Sequence, residues 1–289
     1  MTRLHLPHRT TAEGPWSLRI TPEQAGWAFC GLRVLELEPG GSHGFASGGD
    51  ELLVLPLEGG CVVECESRRF PLVGRDGVFG AVSDFAYVPV DTEVRVSSGG
   101  GGRVLLPAVR AGRRLDPAYG PAGEVPVELR GAGQCSRQVN NLCTPDSFPA
   151  DKLLVVEVLT PGGNWSSYPP HKHDQQRADE VELEEIYYFE VKGKGGLGYQ
   201  RVYSSGPDRQ IDVLAEVSSG DVVLIPHGYH GPSMAAPGYD LYYLNVMAGP
   251  ADERIWRFCD DPAHAWVRGT WEGQAVDPRL PMTGPGGSG

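Results

Sequence analysis

The chain of 289 residues carries 40 Gly and 25 Pro, nearly twice the roughly 12% of average usage, which excludes a helical bundle or coiled coil. An apolar content of 40%, with six Trp and eleven Tyr, still allows it to bury cores. Its 37 acidic against 25 basic residues give a net charge of −12 without a basic block, which argues against nucleic-acid or anionic-membrane partners and favours a small molecule.

At the N-terminus, MTRLHLPHRTTAEGPW lacks the apolar core of a secretory leader, and no run reaches the roughly 18 apolar residues of a membrane span, so a cytoplasmic location is expected. Short Val-, Leu- and Tyr-rich runs follow, bounded by Gly, Pro, Asp or Ser. In the first half they are Leu32 to Leu37, Glu51 to Leu57, Cys61 to Cys65, Thr92 to Val96 and Arg103 to Leu106. In the second half they are Leu153 to Leu159, Glu185 to Phe189, Tyr199 to Tyr203, Asp221 to Ile225 and Leu241 to Met247. The fold class expected from them is all-β, a sandwich or barrel. The six Cys form no CxxC pair, so buried free thiols are expected rather than a disulfide framework or a thiolate zinc site.

The order of parts repeats. PGGSHGFASGGDELLVLPLEGG and then a strand ending at Pro89 in the first half match SSYPPHKHD, LEEIYYFEVKG and a strand ending at Pro226 in the second. Two similar β domains are expected, residues 1–140 and 141–280, joined through an unpatterned stretch from about Leu115 to Pro149, with a disordered tail over 281–289.

Four of the eight histidines, His171, His173, His227 and His230, lie close together in the second half. Alternation along an extended segment puts His171 and His173 on one face and Lys172 on the other, a spacing that grips one metal ion. The acidic stretch from Asp179 ends at Glu184 and Glu185, where it enters the strand Ile186-Tyr187-Tyr188-Phe189. A carboxylate there needs a compensating cation, but both faces of the strand have apolar members, so parity does not choose between the two glutamates. The strand ending at Pro226 turns at Gly228 and returns His230 to the barrel mouth, while His227 is expected to be exposed. Such nitrogen and oxygen donors suit a divalent transition metal: Zn, Mn, Fe, Co or Ni.

HxH, then Glu entering an aromatic strand, then Gly-x5-Pro-x-Gly and His, resembles the two motifs of the cupin superfamily. More narrowly, SSYPPHKHD, LEEIYYF, GYQRVY, GDVVLIPHGYH, DLYYLNVMAGP and DDPAHAW resemble the 5-deoxy-glucuronate isomerases of myo-inositol catabolism, relatives of the 4-deoxy-L-threo-5-hexosulose-uronate isomerases. The resemblance implies a bicupin, two jelly-roll-like barrels in tandem, whose second barrel holds Zn or Mn on His171, His173, Glu185 and His230. The first barrel, with His43 and Glu51 but no histidine after Pro89, is then structural. Eleven residues separate His173 from Glu185 where general cupins have three or four, His227 stands where Arg is expected, and Gly231 where Pro is expected.

The implied reaction is the aldose–ketose isomerisation of 5-deoxy-D-glucuronate to 5-dehydro-2-deoxy-D-gluconate, in which a base carries a proton between the first two carbons. Tyr187 or Lys172 is the expected proton-handling group, and Tyr168, Arg201 and Tyr229 are the expected substrate contacts, with Arg201 offering its fork to the uronate carboxylate. His264 is expected to be structural, and a homo-oligomer is expected. The alternatives from other classes are a cupin metal dioxygenase and a non-catalytic sugar-binding cupin.

Overall fold

Frequent turn residues cut the chain into short strands, and every strand pairing in the computed structural model, which describes residues 3–284, is antiparallel. In the second half, a seven-stranded sheet runs His5–Leu6, Val222–Ile225, Glu184–Val191, Leu241–Ala248, Leu154–Thr160, Arg137–Cys143 and Val127–Arg130. A six-stranded sheet carrying His171–Lys172 and Tyr229–Ala235 faces it. A nine-stranded sheet curls on itself to make the first half. The outcome is two β-barrels in tandem, the bicupin architecture.

Three apolar cores stack through the molecule. One fills the first barrel, one fills the second, and the largest lies between them. The strands next to this central core are therefore buried on both faces. Along Glu184–Val191, Ile186 and Tyr188 enter the core between the barrels, while Tyr187 and Phe189 enter the second barrel. Along Asp50–Cys65, Leu53, Leu55 and Leu57 face the central core and Leu52 and Val54 face the first barrel. Each such Leu or Phe contributes about 1.5–3 kcal/mol by burial.

Three features differ from the sequence expectations. The runs Glu51 to Leu57 and Cys61 to Cys65 are one strand of 16 residues, Asp50–Cys65. Gly59 and Gly60 bulge it rather than end it, and they let Gly74 cross so closely that a Cβ there would meet the Gly59 carbonyl at 2.0 Å. Next, the stretch expected to be unpatterned holds Ala118–Gly120, Val127–Arg130 and Arg137–Cys143, and the last of these contains the position 140 at which the domains were divided. Finally, the expected tail is ordered as far as it is described: Met282 packs on the central core and Thr283 is buried, its hydroxyl and carbonyl accepting hydrogen bonds from Gln138. Residues 285–289 of that tail lie outside the described residues.

Two carboxylates clamp the barrels reciprocally. Glu51 of the first accepts hydrogen bonds from the backbone N–H groups of Asp151, Lys152 and Leu153, at 2.6–2.9 Å, and from the Tyr87 hydroxyl. Glu184 of the second accepts from the N–H groups of Ala28, Phe29 and Cys30 at 2.7–2.9 Å. Charge-assisted bonds of this kind are worth about 1.5–3 kcal/mol each when removed one at a time, and are not additive. Because Glu184 is half-buried, Glu184→Ala is expected to cost about 2 kcal/mol and to lower Tm by roughly 4–8 °C. Calorimetry checks this, and an unchanged melt contradicts the clamp.

Candidate metal centre

Short extended segments deliver four side chains into the second barrel. His171 lies opposite His230 across paired strands, and the ring centroids of His230 stand 4.4 Å from His171 and 4.7 Å from His173. Glu185 enters from the other sheet. Its Oε2 lies 3.0 Å from Nε2 of His173 and 3.0 Å from Nε2 of His230, and its Oε1 accepts a 2.6 Å hydrogen bond from Asn245 Nδ2. Among the described residues, the donor atoms of His173, Glu185 and His230 all fall within 4.8 Å of one another.

Backbone carbonyls set the tautomers. Nδ1 of His171, His173 and His230 faces the carbonyl of Pro169, Leu183 and Gly228 at 3.4, 3.1 and 3.3 Å. A carbonyl only accepts, so each Nδ1 carries a proton, and a ring that is neutral keeps its lone pair on Nε2. Two such lone pairs then confront the Glu185 carboxylate in a buried space, and His230 Nε2 has no hydrogen-bond partner there. A cation reconciles three groups that would otherwise all be acceptors, so the donor set fits a divalent transition metal.

One titration tendency runs against a neutral ring: burial would lower His173, but its hydrogen bond to Glu185 and the charge of that carboxylate outweigh burial and raise it. Burial alone would raise Glu185, but the adjacent His230 and His173 outweigh it and hold the carboxyl at about 2. Burial and the neighbouring His230 and His173 push His171 well below the ordinary histidine value. Tyr187 is pushed well above the ordinary phenol by burial and by the charge of Glu185, so it stays protonated. Its hydroxyl shares a 3.0 Å hydrogen bond with Ser167 Oγ.

A cavity of about 40 Å³ adjoins the centre, room for an ion and a few waters. His171, Glu185, Tyr187, Asn245, Arg137 and Trp256 are among its lining residues. Other expected site residues lie elsewhere. Lys172, one residue out of phase with the histidines, turns away and its Nζ donates to Asp174 and Glu180 at 2.7–2.8 Å. Arg201 is on the outer face of Gly198–Tyr203, paired to Asp212 and donating to the carbonyls of Val202 and Val213. Tyr229 alternates with His230 and packs outside against Tyr203, ring centroids 5.6 Å apart. Tyr168 is half-buried between Trp165 and His264. His227 is half-buried, and His264 precedes the 3-10 helix Ala265–Gly273 without a side-chain cap.

The first barrel lacks the equivalent constellation for a register reason. Leu52 pairs with Val88 just before Pro89, as Glu185 pairs with Ile225 just before Pro226. Leu52 therefore occupies the position that Glu185 has in the second barrel, and Glu51 corresponds to the clamp Glu184. His43 packs between Trp16 and Phe45. Sequence reading missed Asn245, Arg137 and Trp256. The signal for Asn245 was a lone amide in the apolar run Leu241 to Met247. Arg137 was hidden in the stretch taken as a linker.

Comparison with known proteins gives a consistent pattern. The KduI/IolB family matches residues 4–267. The 5-deoxy-glucuronate isomerase of Geobacillus kaustophilus is 43% identical over 271 residues, 92% of this chain and 96% of the relative. That of Bacillus subtilis strain 168 is 38% identical over 252 residues, 86% of this chain and 91% of the relative. The crystal structure of an IolB-like protein from Salmonella typhimurium superposes with a TM-score of 0.85 at 36% identity, covering 92% of this chain and 99% of that one. Oxalate decarboxylase from Lactobacillus farciminis, at 12% identity and a TM-score of 0.65 over 90% and 89% of the two chains, shares the fold.

Proposed function

The chain belongs to the KduI/IolB family and is a sugar isomerase, and from that premise we propose that it converts 5-deoxy-D-glucuronate to 5-dehydro-2-deoxy-D-gluconate with a divalent metal, Zn or Mn. The observation that carries the metal is the pair of Nδ1-anchored imidazoles, His173 and His230, that face the buried Glu185, with the His171 ring 4.4 Å from that of His230. His171, His173, Glu185 and His230 would hold it. When bound, it supplies a Lewis acid that polarises the aldehyde oxygen and the neighbouring hydroxyl.

The remaining work falls to the chain's own groups. The reaction moves one proton from the second carbon to the first and one from the second oxygen to the first, with no net redox change. Tyr187, held neutral beside Ser167, keeps a proton at Oη that it donates to a substrate oxygen as charge builds there. Asn245 holds Glu185 by its second oxygen and so keeps the carboxylate facing the imidazoles. Trp256 and Phe258, on the unpaired segment before Cys259–Asp260, line the small cavity. Val139, Val156 and Val158 keep water from the inner wall.

We place this activity in myo-inositol catabolism and in the cytoplasm. Six free cysteines suit a reducing compartment, and no helix among the described residues is long and apolar enough to cross a membrane. Proton NMR of the metal-loaded protein with 5-deoxy-D-glucuronate tests the reading: loss of the anomeric signals and growth of hydroxymethyl signals, without oxygen consumption, is expected. Metal-dependent oxygen uptake with no ketose would instead make it a dioxygenase.

A further inference from the structure

Three arginines, Arg130, Arg137 and Arg268, line the cavity beside the metal centre, and their partners distinguish them. Arg130 is held by both oxygens of Glu128 at 2.7–2.8 Å. Arg268 is likewise held by both oxygens of Asp260. Arg137 has no carboxylate partner among the described residues, although it is the most deeply buried of the three at 5% exposure. Its hydrogen bonds run from Nη1 alone, to the carbonyls of Cys135 at 3.0 Å and Tyr168 at 3.5 Å.

A buried cation without a counter-ion is costly. Burial pulls the Arg137 guanidinium down to about 10, and no carboxylate opposes the shift. The group is nonetheless held firmly: it stacks over Trp271 at 5.6 Å and starts the strand Arg137–Cys143. Nearby, Trp256 lines the same cavity and carries a buried indole N–H with no hydrogen-bond partner. A fixed guanidinium fork with free donors, beside an unpaired N–H and next to a metal centre, is a carboxylate receptor awaiting its anion.

We propose that Arg137, assisted by the Trp256 indole N–H, binds the carboxylate of the sugar acid while the opposite end of the chain reaches the metal centre. This rests on the isomerase reading above and adds to it the group that selects an acid over a neutral sugar. The receptor lies on the inner wall of the barrel, whereas Arg201 points outward to Asp212. Arg130 and Arg268, already neutralised, hold the surrounding segments.

The test compares two substrates in metal-loaded protein: 5-deoxy-D-glucuronate and the same sugar with its carboxylate reduced to a primary alcohol. Wild type is expected to favour the acid by about 100-fold in kcat/KM. Arg137→Gln is expected to lose about 30-fold or more on the acid, mainly through KM, and to change about threefold or less on the alcohol, with metal content retained. Arg137→Lys, which keeps the charge and removes the fork, is expected to lose roughly 10-fold on the acid and carries the test if the Gln variant does not fold. Unchanged acid-to-alcohol preference in a folded variant, or equal losses on both sugars, overturns the proposal. Calorimetric binding of the acid to wild type and variant reads the contact without turnover. A wild type that binds the acid through Arg137 but makes no ketose sinks the isomerase reading and leaves the receptor standing; equal affinity in both proteins sinks the receptor.

Discussion

His230→Ala is expected to leave less than about a tenth of an equivalent of metal on the purified protein and to lower kcat by about 1,000-fold or more, since a bound Lewis acid supplies several kcal/mol of transition-state stabilisation. The position admits no substitute. His230 is fully buried, its Nδ1 is committed to the Gly228 carbonyl, and its Nε2 is the atom left facing Glu185. Removal also leaves Glu185 with one imidazole neighbour fewer and frees space that only water fills. His43→Ala supplies the control. It lies in the first barrel between Trp16 and Phe45, where register puts Leu52 in place of Glu185, so metal and kcat are expected to stay at wild-type levels. Metal analysis with a turnover assay on both variants decides. Equal losses from the two would sink the assignment of the active barrel.

The second large effect is structural and lies between the barrels. Arg75 of the first half and Glu157 of the second form an ion pair with no exposed side-chain surface on either partner. Asn140 and the Tyr242 hydroxyl donate to the same carboxylate at 3.2 and 2.8 Å, and Arg75 also donates to the carbonyls of Pro56 and Ala81. Removing one partner leaves a buried, uncompensated charge, which costs about 3–5 kcal/mol. Glu157→Ala is therefore expected to lower Tm by roughly 6–20 °C. Replacing both partners by apolar residues of similar volume, Arg75→Met with Glu157→Leu, is expected to recover most of that loss, because the stranded charge goes with its partner. A double variant as unstable as Glu157→Ala would show that the pair stabilises in its own right.

Local patterns made much of this legible from sequence. The strand runs, the same-face histidines and the strand ending at Pro226 each follow from residue types a few positions apart. What stayed hidden depended on partners far along the chain. Glu184 and Glu185 were inseparable because one face of their strand meets the first barrel and the other lines the second, so both faces are apolar. Only the pairing reveals that Glu184 binds the backbone of residues 28–30 while Glu185 meets His173. The same ambiguity aligned Glu51 with Glu185, a shift of one residue that exchanges clamp for ligand. Arg137 sat in a stretch rich in Gly, Gln and Asn with weak strand character, and becomes strand by pairing on both sides. Its importance comes from a missing partner, which no local pattern displays.

The most direct measurement is a metal titration of the chelated protein, with ketose formation from 5-deoxy-D-glucuronate followed by NMR. Activity near zero in the metal-free protein, rising in proportion to added Zn or Mn and levelling at about one equivalent per chain, is the expected result, with the His230→Ala protein flat throughout. Full turnover by protein shown to be metal-free would contradict the account.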